Sequence, residues 1–232
     1  MLGYKNLHLD FVVKVGGSLF GDLASLRMLI REMEFAVAKG MRLLVIPGGG
    51  VPDKAIEKID SEVKFSLYTA HFACALAQDQ TGLMLCDRTF SQKFRACRTF
   101  VEVGNALASS EIPVLLPSHI IEAMDPFEMT WDITSDGIAG WFAWVTSTDK
   151  LIVITNVDGI FTDGRVAEED FRISDISALE LIRMGHTSVD RCLAGLLHEK
   201  AITGFVINGL REGEFTRCLN SEVGNFTKIS CV

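Results

Sequence analysis

Five short runs rich in Val, Ile and Leu punctuate this chain, at Phe11–Val15, Arg42–Ile46, Val114–Leu116, Leu151–Thr155 and Gly204–Ile207. Each is too short for a helix, and each is followed by Gly, Pro or Asn. Between them lie longer stretches with helical spacing: Asp22–Lys39, Pro52–Ile59, Leu67–Leu85, Gly137–Val145, Ile176–Met184 and Asp190–Glu199. Apolar runs without alternation are strands buried on both faces, and strands that alternate with helices build βαβ units. The order therefore predicts an α/β chain with an open, mostly parallel sheet covered by helices on both faces. Ligands in such sheets bind beyond the carboxyl ends of the strands. Those ends carry Gly16-Gly17-Ser18, Gly48-Gly49-Gly50, Pro117-Ser118, Asn156-Val157-Asp158-Gly159 and Asn208-Gly209, so one rim collects most of the unusual residues. The least regular stretch, Met124–Trp131, reads as a loop between two halves.

Bulk properties narrow the function classes. A hydrophobic content of 48% over 232 residues is enough for a sizeable core. The net charge of −8 argues against a sequence-independent grip on nucleic acid, which needs a basic face. Any phosphate held must then belong to a small ligand at a locally positive site. No apolar run approaches the roughly 18 residues of a membrane span, and no N-terminal stretch has the make-up of a signal peptide. The six cysteines form no C-x-x-C pair and no metal-ligand spacing with the histidines, so they read as reduced thiols. A soluble, cytoplasmic protein is the expectation.

The chemistry concentrates in two strand ends. Phe11-Val12-Val13-Lys14-Val15 runs into Gly16-Gly17-Ser18, and Leu43-Leu44-Val45-Ile46-Pro47 runs into Gly48-Gly49-Gly50. Glycines there let backbone approach a ligand and free successive N–H groups to face an anion at the next helix. Lys14, enclosed by valines, would set a compact ammonium where charge builds on a transferred phosphoryl group. Two such loops suggest one for donor phosphates and one for the acceptor. A lone Gly-Gly-Ser is also an ordinary strand-to-helix turn, and neither the dinucleotide fingerprint nor the Walker spacing is met.

Two later segments add candidates. In Trp131-Asp132-Ile133-Thr134-Ser135-Asp136-Gly137, Ser135 and Asp136 open an apolar helix. Asp136 is either a helix cap or a carboxylate that holds Lys14 or a magnesium-bound phosphate, with Asp132 close enough to touch the acceptor. In Thr155-Asn156-Val157-Asp158-Gly159-Ile160-Phe161 a buried strand breaks at Asp-Gly, which signals either a hairpin turn or a lip for a nucleotide's ribose and base.

In this order, Val-Lys-Val-Gly-Gly-Ser, Ile-Pro-Gly-Gly-Gly, Ile-Thr-Ser-Asp-Gly and Ile-Thr-Asn-Val-Asp-Gly-Ile resemble the amino acid kinase superfamily. The resemblance implies a three-layer αβα sandwich in a single domain over 1–232, with an acceptor-binding half to about 145 and a nucleotide-binding half beyond. It implies ATP and Mg2+, a small phosphorylated acceptor, and a homo-oligomer. Residue by residue, Lys14 and Asp136 would be catalytic. Gly16, Gly17, Ser18, Thr155, Asn156, Asp158, Gly159 and Phe161 would hold ATP, while Gly48, Gly49, Gly50 and Ser135 would hold the acceptor. The metal would be carried mainly by the ATP phosphates. Lys58-Ile59-Asp60, the placement of His71, Thr187-Ser188-Val189-Asp190 and Val206-Ile207-Asn208-Gly209 are similar to one branch, the kinases of methanofuran biosynthesis, whose acceptor is (aminomethyl)furan-methyl phosphate.

One segment departs from the superfamily pattern. Where many members carry Gly-Gly-Met followed by a phosphate-contacting lysine, this chain reads Thr187-Ser188-Val189-Asp190-Arg191-Cys192-Leu193. Thr187 with Asp190 is either a capping pair or, through Asp190, a contact for the acceptor's amine. Arg191, Lys150 or Arg165 could restore the lost charge. His71, on a predicted helix, is either a satisfied interior histidine or a hydrogen-bond donor to the acceptor phosphate; His119 has a weaker claim. The rival functions are a kinase for an amino acid carboxylate or nucleoside monophosphate, and a non-catalytic nucleotide or oxyanion binder of the metal-storage kind.

Overall fold

The computed structural model describes residues 7–124, 130, 132–162, 171–185 and 187–231. The expected loop at Met124–Trp131 lies almost wholly outside the described residues. Ten strands are described: β1 (Phe11–Val15), β2 (Leu43–Pro47), β3 (Phe94–Cys97), β4 (Ile112–Leu115), β5 (Lys150–Thr155), β6 (Ile160–Phe161), β7 (Arg172–Ile173), β8 (Asp175–Ser177), β9 (Thr203–Asn208) and β10 (Phe226–Ser230). Eight of them form one sheet in the order β3-β4-β2-β1-β5-β9-β10-β8, and β6 pairs with β7 in a separate two-stranded ribbon. All neighbours in the large sheet are parallel except β9 and β10. The open, mostly parallel sheet expected from the order of elements is present.

All five sequence-read strands lie in its interior, and the missed ones have a different pattern. β10 alternates buried and more exposed positions, β3 is buried only at its two ends, and β8 is only three residues long. A search for continuous apolar runs passes over such strands. The hairpin reading of Asp158-Gly159 is corrected: β5 pairs with β1 and β9, not with β6. Gly159, at φ +127, turns the chain out of the sheet, where a Cβ would stand 3.0 Å from the backbone nitrogen of Thr227.

Strand alternation sorts the core into two layers. Phe11, Val13 and Val15 face helix α1 (Leu23–Ala38), where Leu26, Leu29, Ile30 and Met33 are buried. Asp22 starts that helix by accepting the amides of Ala24 and Ser25 at 3.1 and 3.2 Å. Val12 faces the other layer, with α6 (Ser135–Val145), α7 (Ala178–Met184) and α8 (Arg191–Glu199). Phe142 of α6 is fully enclosed there, a side chain whose burial contributes about 1.5–3 kcal/mol. Lys14 sits two residues from Val12, so a period of two puts it on the α6 side. Its strand neighbours are Ile46 and Val153, at the centre of the sheet. β1 also lies where the connections reverse direction, towards β2 and β4 on one side and β5 and β9 on the other. Such a switch point is where open α/β sheets form their crevice.

Candidate active site

The ammonium of Lys14 meets Asp136 of α6, with Nζ 2.7 Å from Oδ1 and side-chain exposures of 11% and 9%. Among the described residues no donor other than the Lys14 ammonium reaches the buried Asp136 Oδ1. A buried carboxylate oxygen in that state has capacity left for a donor or a cation. The cap reading of Asp136 is corrected: the N-cap of α6 is Thr134, whose hydroxyl accepts the Asp136 amide at 3.3 Å.

Asp190 builds the support for this arrangement. Its Oδ1 accepts the Leu193 amide at 2.6 Å, which makes Asp190 itself the cap of α8. Its Oδ2 accepts the Thr134 amide, the Thr134 hydroxyl and the Gly137 amide, each at 2.8 Å. Burial pushes the Asp190 carboxyl above its ordinary value, the nearby Asp136 charge adds to this, and the donated hydrogen bonds pull it back. One carboxylate thus ties the starts of α6 and α8 together, and Asp190 is occupied by protein donors rather than open to an acceptor. Asp132 is exposed in the turn before α6.

The glycine loops meet each other. The Gly16 amide donates to Ile154 O at 2.9 Å and the Gly48 amide to Val15 O at 2.8 Å, so each loop continues the sheet for one bond. A Cβ on Gly17 would stand 2.3 Å from Gly50 Cα, and one on Gly48 would be 2.9 Å from Gly17 N and 3.3 Å from both Lys14 Cε and Ser135 Oγ. Gly50 has φ +65, a region that favours glycine. It opens α2 (Gly50–Val63), which has no side-chain cap, and the amides of Gly17, Ser18, Gly49 and Gly50 find no acceptor among the described residues. Unused N–H groups at helix starts, beside a lysine, make an anion-binding crevice. Lys14, Asp136, Ser135, Gly16–Ser18 and Gly48–Gly50 are therefore gathered in one place.

The remaining candidates surround it. At the end of β5 and β9, Asp158 takes a two-pronged contact from Arg211, with Nε–Oδ1 and Nη2–Oδ2 both 2.6 Å, and accepts Asn208 Nδ2 at 2.8 Å. Arg211 escaped the sequence reading because a side chain after a strand end carries no periodic signal, whereas Asn208 was read only as part of the strand end Asn208-Gly209. Thr155 and Asn156 lie on the same rim, with Thr155 Oγ1 donating to Asn156 Oδ1 at 3.4 Å. Phe161 is buried and presents little ring surface to solvent. Of the cations considered for the lost lysine, Lys150 starts β5 at the opposite rim of the sheet, its Nζ 5.4 Å from the Phe11 ring centre. Arg191 is exposed in the first turn of α8, and Arg165 lies outside the described residues.

His71 belongs to α3 (Leu67–Leu85), which packs beside α2. It lines a cavity of about 50 Å³ shared with Gly49, Asp53, Glu57, Gln78 and Ser135. Thr81 of the same helix donates to Gly49 O at 3.1 Å and so fixes the second loop to α3. His119 is exposed. A larger cavity, about 700 Å³, opens at the opposite rim, before the starts of β5 and β9, between Trp141, Trp144, Lys200 and Ile202. It holds none of the anion-binding features, so chemistry rather than volume locates the site. Among the described residues no group of three or more His, Cys, Asp or Glu could hold a metal ion, and no helix is long and apolar enough to cross a membrane.

The amino acid kinase family model matches residues 11–208, from the start of β1 to the end of β9. The chain belongs to the amino acid kinase family. It is an enzyme of the phosphotransferase kind, and the family implies ATP as phosphoryl donor. Among curated relatives, the "[5-(aminomethyl)furan-3-yl]methyl phosphate kinase" of Methanocaldococcus jannaschii is 27% identical over 221 residues, covering 94% of this chain and 96% of that one. The acetylglutamate kinase of Cyanidium caldarium is 25% identical over 205 residues, covering 74% and 67%. Uridylate kinase from Archaeoglobus fulgidus superposes with a TM-score of 0.72 at 19% identity, over 96% of this kinase and 100% of that chain, which establishes the shared fold.

Proposed function

We propose that this kinase moves the γ-phosphoryl group of ATP onto the phosphate of a small acceptor, (aminomethyl)furan-methyl phosphate, to give a diphosphate. An acceptor phosphate oxygen forms the new bond to γ-phosphorus as the bond to the ADP oxygen breaks, and ADP leaves. The observation that carries the reading is Lys14, whose ammonium stands between the two glycine loops and is held by Asp136. Such transfers require mainly positioning and charge neutralisation. Lys14 stabilises the charge on the moving group, and the free amides of Gly17 and Ser18 orient the donor phosphates. The amides of Gly49 and Gly50, with Ser135 and His71, orient the acceptor. Asp136 aims Lys14, and its carboxylate, with lone pairs left beyond the Lys14 contact, suits a magnesium ion carried by ATP, which would neutralise phosphate charge. Thr155, Asn156 and the Asp158–Arg211 pair form the nucleotide side of the rim, so that the C-terminal half takes ATP and the N-terminal half the acceptor. The acceptor assignment rests on the Methanocaldococcus jannaschii relative, matched over nearly its whole length.

The test is ADP release with a panel of acceptors, with the product read by phosphorus NMR. The furan phosphate should be preferred and should yield a diphosphate. Preference for uridylate, or a product trapped by hydroxylamine as an acyl phosphate, overturns the acceptor assignment. ATP binding without turnover of any acceptor overturns the kinase reading in favour of a binding protein.

A further inference from the structure

The small cavity behind the acceptor loop has a charge pattern of its own. Asp53 and Glu57 lie four residues apart on α2, hence on one face, and both line the cavity. Opposite them on α3 stand His71, Cys74 and Gln78, at helical spacings of three and four. Neither carboxylate has a cationic partner among the described residues. Gln78 is only 3% exposed, and its Oε1 is buried with no donor among the described residues. A buried amide oxygen without a donor is destabilising, and a ligand N–H would relieve it. The Cys74 thiol is pushed well up by burial and by Asp53, so it stays protonated and is a poor metal ligand. Together with the absence of a metal-holding group among the described residues, this favours an organic cation over a metal ion.

We infer that Asp53, Glu57 and the Gln78 carbonyl form an ammonium subsite that receives the amine of the acceptor while its phosphate stays at the Gly49 end. A primary ammonium supplies three donors and one positive charge, matching two carboxylates and one amide oxygen. The subsite discriminates by charge, since an acceptor without the amine would leave these groups unpaired. This inference rests on the proposed acceptor and replaces Asp132 and Asp190 as the source of the carboxylate.

The experiment is calorimetric binding of two ligands, (aminomethyl)furan-methyl phosphate and its analogue with a methyl in place of the aminomethyl, to wild type, Asp53→Asn, Glu57→Gln and Gln78→Leu. Glu57 is exposed, so Glu57→Gln keeps the fold even if the other changes perturb packing beside Gly49. Wild type should bind the amine at least about tenfold tighter than the analogue, and Glu57→Gln should remove most of that preference without weakening the analogue. No preference in wild type, or a preference that survives in Glu57→Gln, overturns the subsite. Zn2+ or Mg2+ binding that disappears in the same variant also overturns it, in favour of a metal site. If the preference behaves as expected while neither furan is turned over, the subsite stands and the proposed reaction falls.

Discussion

Replacing Asp136 with Asn removes one charge from a pair that is nearly enclosed in protein. At 2.7 Å and an effective dielectric of about 20, the attraction between Lys14 and Asp136 is about 6 kcal/mol before desolvation is counted. Desolvation takes back much of this, yet removing one partner strands the other, at a typical cost of about 3–5 kcal/mol. The Asn carbonyl can still accept from Lys14, which places the expected loss near the lower bound. For a chain of 232 residues this corresponds to a fall in Tm of about 6–12 °C. The double change Lys14→Met with Asp136→Leu substitutes apolar side chains of similar shape and removes both charges, so its Tm should return to within a few degrees of wild type. Turnover should not return. Both variants should lose about 10²-fold or more in kcat, because the charge aimed at the transferring group is misplaced in one and absent in the other. Melting by circular dichroism and initial rates of ADP release supply both readings. A double variant that regains activity together with stability, or an Asp136→Asn enzyme within about threefold of wild-type kcat, refutes the catalytic role.

Gly17→Ala places a Cβ 2.3 Å from backbone of Gly50, which cannot move aside as a side chain could, so the variant should lose about 1–3 kcal/mol in urea unfolding and raise KM for both substrates. Gly49→Val instead presses on the Asp53 side chain, 2.5 Å from the added Cβ, and should raise the acceptor KM far more than the ATP KM; an equal rise in steady-state assays counts against the loop assignment. Asp190 has its carboxyl held above the ordinary 3.8, so the folded state binds that proton more tightly than the unfolded one. The resulting stabilisation is complete below pH about 4 and is lost as pH rises through the elevated folded value. The stability advantage of wild type over Asp190→Asn should therefore be greatest at acid pH and shrink towards pH 7, and urea titrations showing the reverse trend reject this account.

The buried half of the sheet was legible because its strands are unbroken apolar runs ending in glycine, proline or asparagine, and Lys14 stood out as a charge among valines. The edges were not, since Phe94–Cys97 is buried only at its ends and Phe226–Ser230 alternates, patterns both share with many loops. Within the site, residue type gave the glycine loops and the Lys14 and Asp136 candidates, whereas the use of Asp190 depends on three-dimensional neighbours. A carboxylate at a helix start looks the same in sequence whether it meets a ligand or four protein donors. Asp53, Glu57 and Gln78 were overlooked for a related reason: on an amphipathic helix beside lysines, acidic residues read as a solvated face, and only the packing of α3 against α2 brings them to one cavity with Gln78.

The contact between Gly17 and Gly50 makes the crevice a fixed-gap gauge. Its width is set by main chain lying against main chain, so no rotamer change can widen or narrow it. The residues proposed to choose among acceptors stand on α2 and α3, outside the gauge itself. Substitutions there can alter which molecule is admitted while the separation of the two loops stays constant, and a change in that separation requires a shift of β1 against β2, at the centre of the sheet.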